Sequence, residues 1–144
     1  FQPDLDGSIK HDASSCNKEE LINSYDNSIL YTDFFLSSVI DRLKDKKAFM
    51  IYASDHGESL GECGRLTHGG DGDIPEQRTV PLMVWMSDSY KEAYPDKWSA
   101  IEVAKSKEIS HDYIFHSILD CLGIESVIID KELSLCRANS FEKG

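Results

Sequence analysis

The sequence predicts an α/β chain, part of a three-layer α/β/α sheet, from the order helix, strand, glycine-rich loop, strand, helix. Three observations carry that reading. Leu21, Ile22, Tyr25, Ile29, Leu36, Val39, Ile40 and Leu43 recur at helical spacing along one face, with Phe35 beside it. Ala48-Phe49-Met50-Ile51-Tyr52 and Val80-Pro81-Leu82-Met83-Val84-Trp85-Met86 are short apolar runs of strand-forming residues. Ile114, Ile118, Leu119 and Leu122 mark the apolar face of a further helix.

Residues 1–16 are polar and read as loop, with His11 exposed in it. Asn17 followed by Glu20 has the form of a helix N-cap with a reciprocal acid at its third position. One long amphipathic helix to about Lys44 follows, with Asp26, Asn27 and Asp33 on a solvated or structurally hydrogen-bonded face of it. Lys44-Asp45-Lys46-Lys47 turns the chain into a strand over residues 48–53. Residues 69–75 are too rich in glycine for helix or strand. The second strand, over 80–86, tolerates Pro81 at its beginning. Ser87 to Tyr94 reads as a turn or short helix, and Trp98 to about Ser106 stays open between helix and irregular structure. Ser110 caps the last helix and Gly123 ends it. His111 and His116 on that helix read as capping or packing histidines. Ile124 to Gly144 holds the apolar run Val127-Ile128-Ile129 and then a polar tail.

The chain's 144 residues suffice for one domain with a core. The balance of 26 acidic against 15 basic residues leaves −11, a field that disfavours nucleic acid and anionic membrane surfaces. No apolar run approaches the length of a membrane span. The four cysteines, Cys16, Cys63, Cys121 and Cys136, lack CxxC spacing, which argues against a cysteine-based zinc site. A Cys121–Cys136 disulfide and free buried thiols both remain open readings.

The stretch carrying chemistry is Tyr52-Ala53-Ser54-Asp55-His56-Gly57-Glu58-Ser59-Leu60-Gly61-Glu62, with His68 at the end of a glycine-rich loop. Asp55 and His56 fall just past the carboxyl end of the first strand, where open α/β sheets gather ligands. A carboxylate beside an imidazole suits zinc, which accepts nitrogen and oxygen donors. Asp-His-Gly by itself also reads as an ordinary turn, with Asp55 capping a backbone group. The surrounding acids, glycines and second His-Gly form a loop too polar for a core and rich in groups able to bind a metal or an anion. Glu62 reads as a brace of that loop.

This block, with Gly64 and His68-Gly69, resembles the metal-site signature of phosphoethanolamine transferases of the alkaline phosphatase/sulfatase superfamily. The likeness extends to Tyr25-Asp26-Asn27-Ser28-Ile29-Leu30-Tyr31-Thr32-Asp33, to Glu76-Gln77-Arg78-Thr79-Val80-Pro81 and to Ser110-His111-Asp112. It covers roughly Asn17 to Gly123. The resemblance implies an alkaline phosphatase/sulfatase-like fold, of which residues 1–144 would be the C-terminal part of a periplasmic catalytic domain, excised from a longer chain. A membrane-embedded N-terminal domain would precede it, at the periplasmic face of the bacterial inner membrane.

By the same resemblance Asp55 and His56 are zinc ligands, and His68 is substrate-binding, contacting the phosphoryl group or an additional metal. Glu58 is assigned with it to substrate binding, its alternatives being the metal shell and a structural hydrogen bond. The family's threonine nucleophile would lie upstream, since Thr32, Thr67 and Thr79 do not match its position. The donor would be phosphatidylethanolamine and the acceptor lipid A or a lipopolysaccharide core sugar. Relatives commonly carry a local disulfide before the long helix; here Cys16 has no second cysteine near it in sequence. The alternatives are a sulfatase, phosphoglycerol transferase or phosphohydrolase of the same superfamily, or a non-catalytic metal-binding domain.

Overall fold

The computed structural model describes residues 16–70 and 74–137. The expected opening loop with His11, the centre of the 69–75 loop and the end of the polar tail lie outside the described residues. Two compact units are present, one built from residues up to Val39 and from Ser54–Pro81, the other from Ile40–Ala53 and from Leu82 onward.

Helix α1 spans Lys18–Leu43. Its start is the expected capping box. The Glu20 amide donates to Asn17 Oδ1 at 2.9 Å, and the Asn17 amide donates to Glu20 Oε2 at 2.9 Å. Leu21, Ile22, Tyr25, Leu36, Val39, Ile40 and Leu43 are half-buried, as their spacing predicts, while Ile29 and Phe35 are exposed. Among the described residues no helix is long and apolar enough to cross a membrane.

In the unit of Ile40–Ala53 and Leu82 onward, β1 (Phe49–Ala53) pairs antiparallel with β4 (Leu82–Met86), Phe49 opposite Met86 and Ala53 opposite Leu82. Pro81 stands just before β4, where its missing N–H costs no ladder bond. Helix α3 (Asp88–Ala93) is capped by Ser87, whose Oγ accepts from the Tyr90 amide. Helix α4 (Pro95–Ala104) resolves the segment that the sequence left open, with Pro95 placed in its first turn. Met86, Tyr90, Ile101, Ala104, Cys121, Leu135 and Cys136 form the buried core of this unit.

Helix α5 (Asp112–Cys121) begins after Ser110, whose Oγ accepts from the Asp112 amide at 3.3 Å. The chain leaves it at Gly123, in the left-handed region at φ +75°. Its expected apolar face is corrected in part by the structure: Ile114 and Leu119 are half-buried. Ile118 and Leu122 are exposed, and the buried side is Ser117, Asp120 and Cys121. The reason is the segment that follows. Leu135 and Cys136, expected in a polar tail, are buried, and Cys136 is disulfide-bonded to Cys121.

Asp120, nearly fully buried, accepts from Arg137 Nε at 2.8 Å and Nη2 at 2.7 Å, and from Ser134 Oγ at 2.6 Å. Lys97 Nζ donates to the carbonyls of Asp120 and Cys121 at 2.7 and 2.9 Å, satisfying the end of α5. Tyr90 Oη donates to the same Cys121 carbonyl. Burial, followed by Tyr94 and Asp120, pushes that phenol up to about 12. His116 has the packing role expected of it, its Nδ1 accepting from the Asp130 amide at 3.0 Å.

In the other unit, β2 (Ser59–Leu60) and β3 (Leu66–Thr67) form a two-stranded antiparallel ribbon joined by a tight turn at Glu62–Gly64. The short helix α2 (Pro75–Arg78) supplies its frame. The Gly57 amide donates to the Gln77 carbonyl at 2.8 Å. A Cβ at Gly57 would sit 2.0 Å from the Glu76 carbonyl oxygen, so only glycine permits this approach. From the same turn of α2, Gln77 Nε2 donates to buried Ser59 Oγ at 2.8 Å and to the Thr67 carbonyl at 3.1 Å. Its Oε1 accepts from the Gly69 amide at 3.1 Å. Glu62 braces the ribbon as expected, Oε2 accepting from the Leu60 amide at 2.5 Å. Bonds from its own backbone N–H, and then from that of Leu60, hold its carboxyl below the ordinary glutamate range.

Three outcomes follow from these contacts. Gly57→Ala forces backbone against backbone and should cost at least about 3 kcal/mol, read from denaturant unfolding. Arg137→Ala leaves a buried carboxylate without its cation and should cost about 2 kcal/mol in the same assay, the exposure of Arg137 holding the loss below that of a fully buried pair. The lowered Glu62 carboxyl contributes stability above the unfolded glutamate value, lost as pH falls through the folded one. The stability difference between wild type and Glu62→Gln should therefore shrink on going from neutral into acid pH.

Candidate metal and phosphoryl site

The site lies on the segment following β1 and on the end of the β2–β3 ribbon, all within the unit that contains Ser54–Pro81. Its backbone is fixed before any ligand is considered. Ser54 Oγ donates to the His56 carbonyl at 2.8 Å, and Asp55 Oδ1 accepts from the His56 amide at 3.1 Å. Gly57 is pinned to α2, so Asp55 and His56 precede an anchored point and Glu58 follows it.

Asp55 is largely exposed, with Oδ2 3.8 Å from His56 Nε2. The turn reading of Asp55 is thus realised by Oδ1, and Oδ2 remains available to a cation shared with the imidazole. His56 Nδ1 lies 3.1 Å from the Gly57 carbonyl oxygen. A carbonyl only accepts, so a proton belongs on Nδ1, and in the neutral ring the lone pair is on Nε2. That is the arrangement by which proteins orient metal-binding histidines.

His68 comes to the same place by a longer route. Thr67, immediately before it, sits in the left-handed region at φ +62°, an outlier for a β-branched residue. Such a conformation costs on the order of 1–3 kcal/mol and persists only where neighbours over-determine it. Here the bonds of Gln77 to Thr67 and Gly69 do so, gripping the chain on both sides of His68. His68 Nδ1 is 2.8 Å from Glu58 Oε1, and the His56 and His68 rings lie with centroids 3.9 Å apart and planes tilted by 38°. Glu58 Oε1 is also 3.9 Å from His56 Nδ1. Glu58 Oε2 is buried and has no hydrogen-bond partner among the described residues.

His56, Glu58 and His68 each offer a ligand atom within 4.8 Å of the others, a set able to hold a metal ion. The structure therefore brings together three of the four residues singled out from the sequence, across the division between ligands and substrate contacts. Asp55 stands beside His56 at the rim. Gln77 was not singled out, because nothing local marks a glutamine as the tie between three separate strands of chain; its place in the Glu76–Pro81 block was the available signal.

The sulfatase family model matches residues 2–124 of the chain. The Kdo(2)-lipid A phosphoethanolamine 7''-transferase of Escherichia coli (strain K12) is 44% identical over 119 residues, 78% of this chain and 21% of that protein. The chain thus spans about a fifth of the length of the curated relative. The soluble domain of lipooligosaccharide phosphoethanolamine transferase A from Neisseria meningitidis superimposes with a TM-score of 0.82 at 29% identity, covering 92% of this chain and 41% of that one. The C-terminal periplasmic domain of EcEptC from Escherichia coli, solved in complex with Zn, gives a TM-score of 0.74 at 26% identity, covering 99% of this chain and 41% of that one. The α/β fold is that of these sulfatase-like domains. The chain belongs to the sulfatase family and is homologous to phosphoethanolamine transferases.

Proposed function

We propose that this chain is the C-terminal part of the periplasmic catalytic domain of a zinc-dependent phosphoethanolamine transferase. Phosphatidylethanolamine is the donor and lipid A or a lipopolysaccharide core sugar the acceptor. A threonine in the upstream part of the protein carries the phosphoethanolamine between them. The observation that carries the reading is the convergence of His56, Glu58 and His68 at the end of a strand, with Asp55 beside His56. The homology to transferases whose names state lipid A or lipooligosaccharide as acceptor supports the substrate class. The Cys121–Cys136 disulfide suits an oxidising compartment such as the periplasm, and a membrane-embedded domain upstream would place the site at the periplasmic face of the inner membrane.

The residues fit zinc by their chemistry. Asp55 Oδ2 and His56 Nε2, 3.8 Å apart, offer an oxygen and, in the neutral ring, a nitrogen lone pair, and they are this chain's share of the metal site in this reading. Bound there, zinc would favour the deprotonated form of a hydroxyl nucleophile and polarise the phosphoryl oxygen. The remaining tasks fall to the protein. Asp55 and His56 are held at fixed spacing by the Ser54 and Gly57 bonds, while His68, with Glu58 behind it, is left for the transferred group. The upstream nucleophile makes the 144 residues alone half of an active site.

In full-length protein, Asp55→Ala and His56→Ala should each lower bound zinc and reduce transfer of labelled phosphoethanolamine to lipid A by more than about 100-fold. Product analysis checks the class. Release of the label to water, or transfer of phosphoglycerol, would replace the proposal with a hydrolase or phosphoglycerol transferase. Wild-type protein that neither binds zinc nor transfers would leave a non-catalytic domain.

A further inference from the structure

We propose that Glu58 is a positioning residue for His68, holding its proton on Nδ1 so that Nε2 is presented as a lone pair. The proposal rests on the reading of His68 as a residue facing the transferred group, and it changes what that residue does there. An Nε2 without a proton cannot donate a hydrogen bond to a phosphoryl oxygen. It accepts instead, either from the hydroxyl of a substrate or by coordination to a cation.

Four features of the site carry the inference. The first is the contact itself, His68 Nδ1 to Glu58 Oε1 at 2.8 Å, the length of a charge-assisted hydrogen bond. A carboxylate accepts only, so the proton lies on the histidine nitrogen facing it. Secondly, the other carboxylate oxygen is buried with no hydrogen-bond partner among the described residues. A glutamate placed to tie the loop together would have its second oxygen paired, since unsatisfied buried acceptors are rare and costly. Glu58 instead spends its one good bond on a histidine that is more exposed than itself. Thirdly, His56 shows the same proton placement achieved by a different acceptor, the Gly57 carbonyl at 3.1 Å. Two neighbouring imidazoles, their centroids 3.9 Å apart, therefore both have a hydrogen-bonded Nδ1 and, when neutral, a lone pair on Nε2. Finally, the chain on both sides of His68 is over-determined by Gln77 and by the left-handed Thr67, so the imidazole is aimed by design of the backbone as well as by Glu58.

The competing role for Glu58 is direct ligation of a metal, which its unpaired Oε2 would permit. The two differ in what happens when no metal is present. A positioning residue fixes the His68 tautomer in the metal-free protein, whereas a ligand has no such effect.

The test uses full-length protein with 15N-labelled histidine, stripped of metal, with the His68 resonances assigned by His68→Gln. With the imidazole neutral, wild type should show a protonated Nδ1 and an unprotonated Nε2 at His68. Glu58→Gln is isosteric, but its amide can either accept from Nδ1–H or donate to a bare Nδ1, so the His68 tautomer should become mixed. His56, bonded to a main-chain carbonyl, should keep its tautomer in the same sample. Transfer to lipid A by Glu58→Gln should fall by about 10- to 100-fold, the usual cost of removing an orienting partner, and Glu58→Asp should recover part of it.

Titrating zinc into wild type then separates the two partners of the lone pair: a shifted His68 Nε2 resonance identifies a cation, an unshifted one a substrate hydroxyl. A wild-type His68 protonated on Nε2 would overturn the proposal without recourse to any variant. So would a Glu58→Gln protein in which zinc content falls while the tautomer is unchanged. If wild type shows the tautomer and yet transfers no phosphoethanolamine, the proposed function fails and the Glu58–His68 relation stands.

Discussion

The candidate site depends on one close approach of main chain to main chain. Gly57 lies against α2 with its N–H on the Gln77 carbonyl and with no room for a Cβ before the Glu76 carbonyl oxygen. That contact divides the motif into two short arms. Asp55 and His56 occupy the arm before it, Glu58 and Ser59 the arm after it. With the middle pinned, each arm is too short to wander far from the other, and His56 and Glu58 are kept near neighbours. The same turn of α2 sends the Gln77 side chain to Ser59, Thr67 and Gly69, so one tetrapeptide helix sets both arms and the return of the chain at His68. Loop-borne functional groups are generally placed by such rigid supports.

The two histidines are oriented by acceptors of different kinds, and the difference has consequences. His56 is held by a backbone carbonyl of the next residue, a partner that no side-chain substitution removes. His68 is held by a carboxylate ten residues away in sequence, a stronger partner and a removable one. A carboxylate partner also makes the imidazole a better electron donor at its far nitrogen. His56 thus keeps its acceptor under any side-chain substitution, whereas the acceptor of His68 depends on the identity of residue 58.

Much of this architecture was legible because it is local. Asn17 and Glu20 mark the start of α1 through a bond between residues three apart, and the apolar runs of β1 and β4 stand out against polar flanks. Gly123 announces the end of α5 for the same reason. What escaped was tertiary. Periodicity assigned Ile118 and Leu122 to the buried side of α5, yet that side is Ser117, Asp120 and Cys121. Apolar spacing cannot anticipate a polar face buried by specific bonds, in this case to Ser134, Leu135, Cys136 and Arg137. The choice between a Cys121–Cys136 bond and two thiols was open on the same grounds, since pairing depends on where the last residues fold back. At the site, residue types pointed to Asp55, His56, Glu58 and His68, but not to which nitrogen of each ring is free.

The two units are held by different physics, and the contrast bears on function. Around Met86, Tyr90, Ile101 and Leu135 the chain buries apolar side chains and adds a disulfide and a paired carboxylate. The unit bearing the site has few buried residues among those described, Gly57, Ser59 and Ile74, and relies on directional bonds from Gln77, Ser54 and Glu62. Apolar packing is tolerant of small displacements, whereas hydrogen bonds weaken steeply with angle and distance. A frame of bonds is therefore the more exacting way to hold His56, Glu58 and His68 in register. Its cost is visible in the left-handed Thr67 and in the orphaned oxygen of Glu58, both located where the chemistry would occur rather than in the packed core. A strained threonine and an unpaired buried carboxylate oxygen on the chain that carries His56 and His68 are what a segment shaped for a bound cation or phosphoryl group should show.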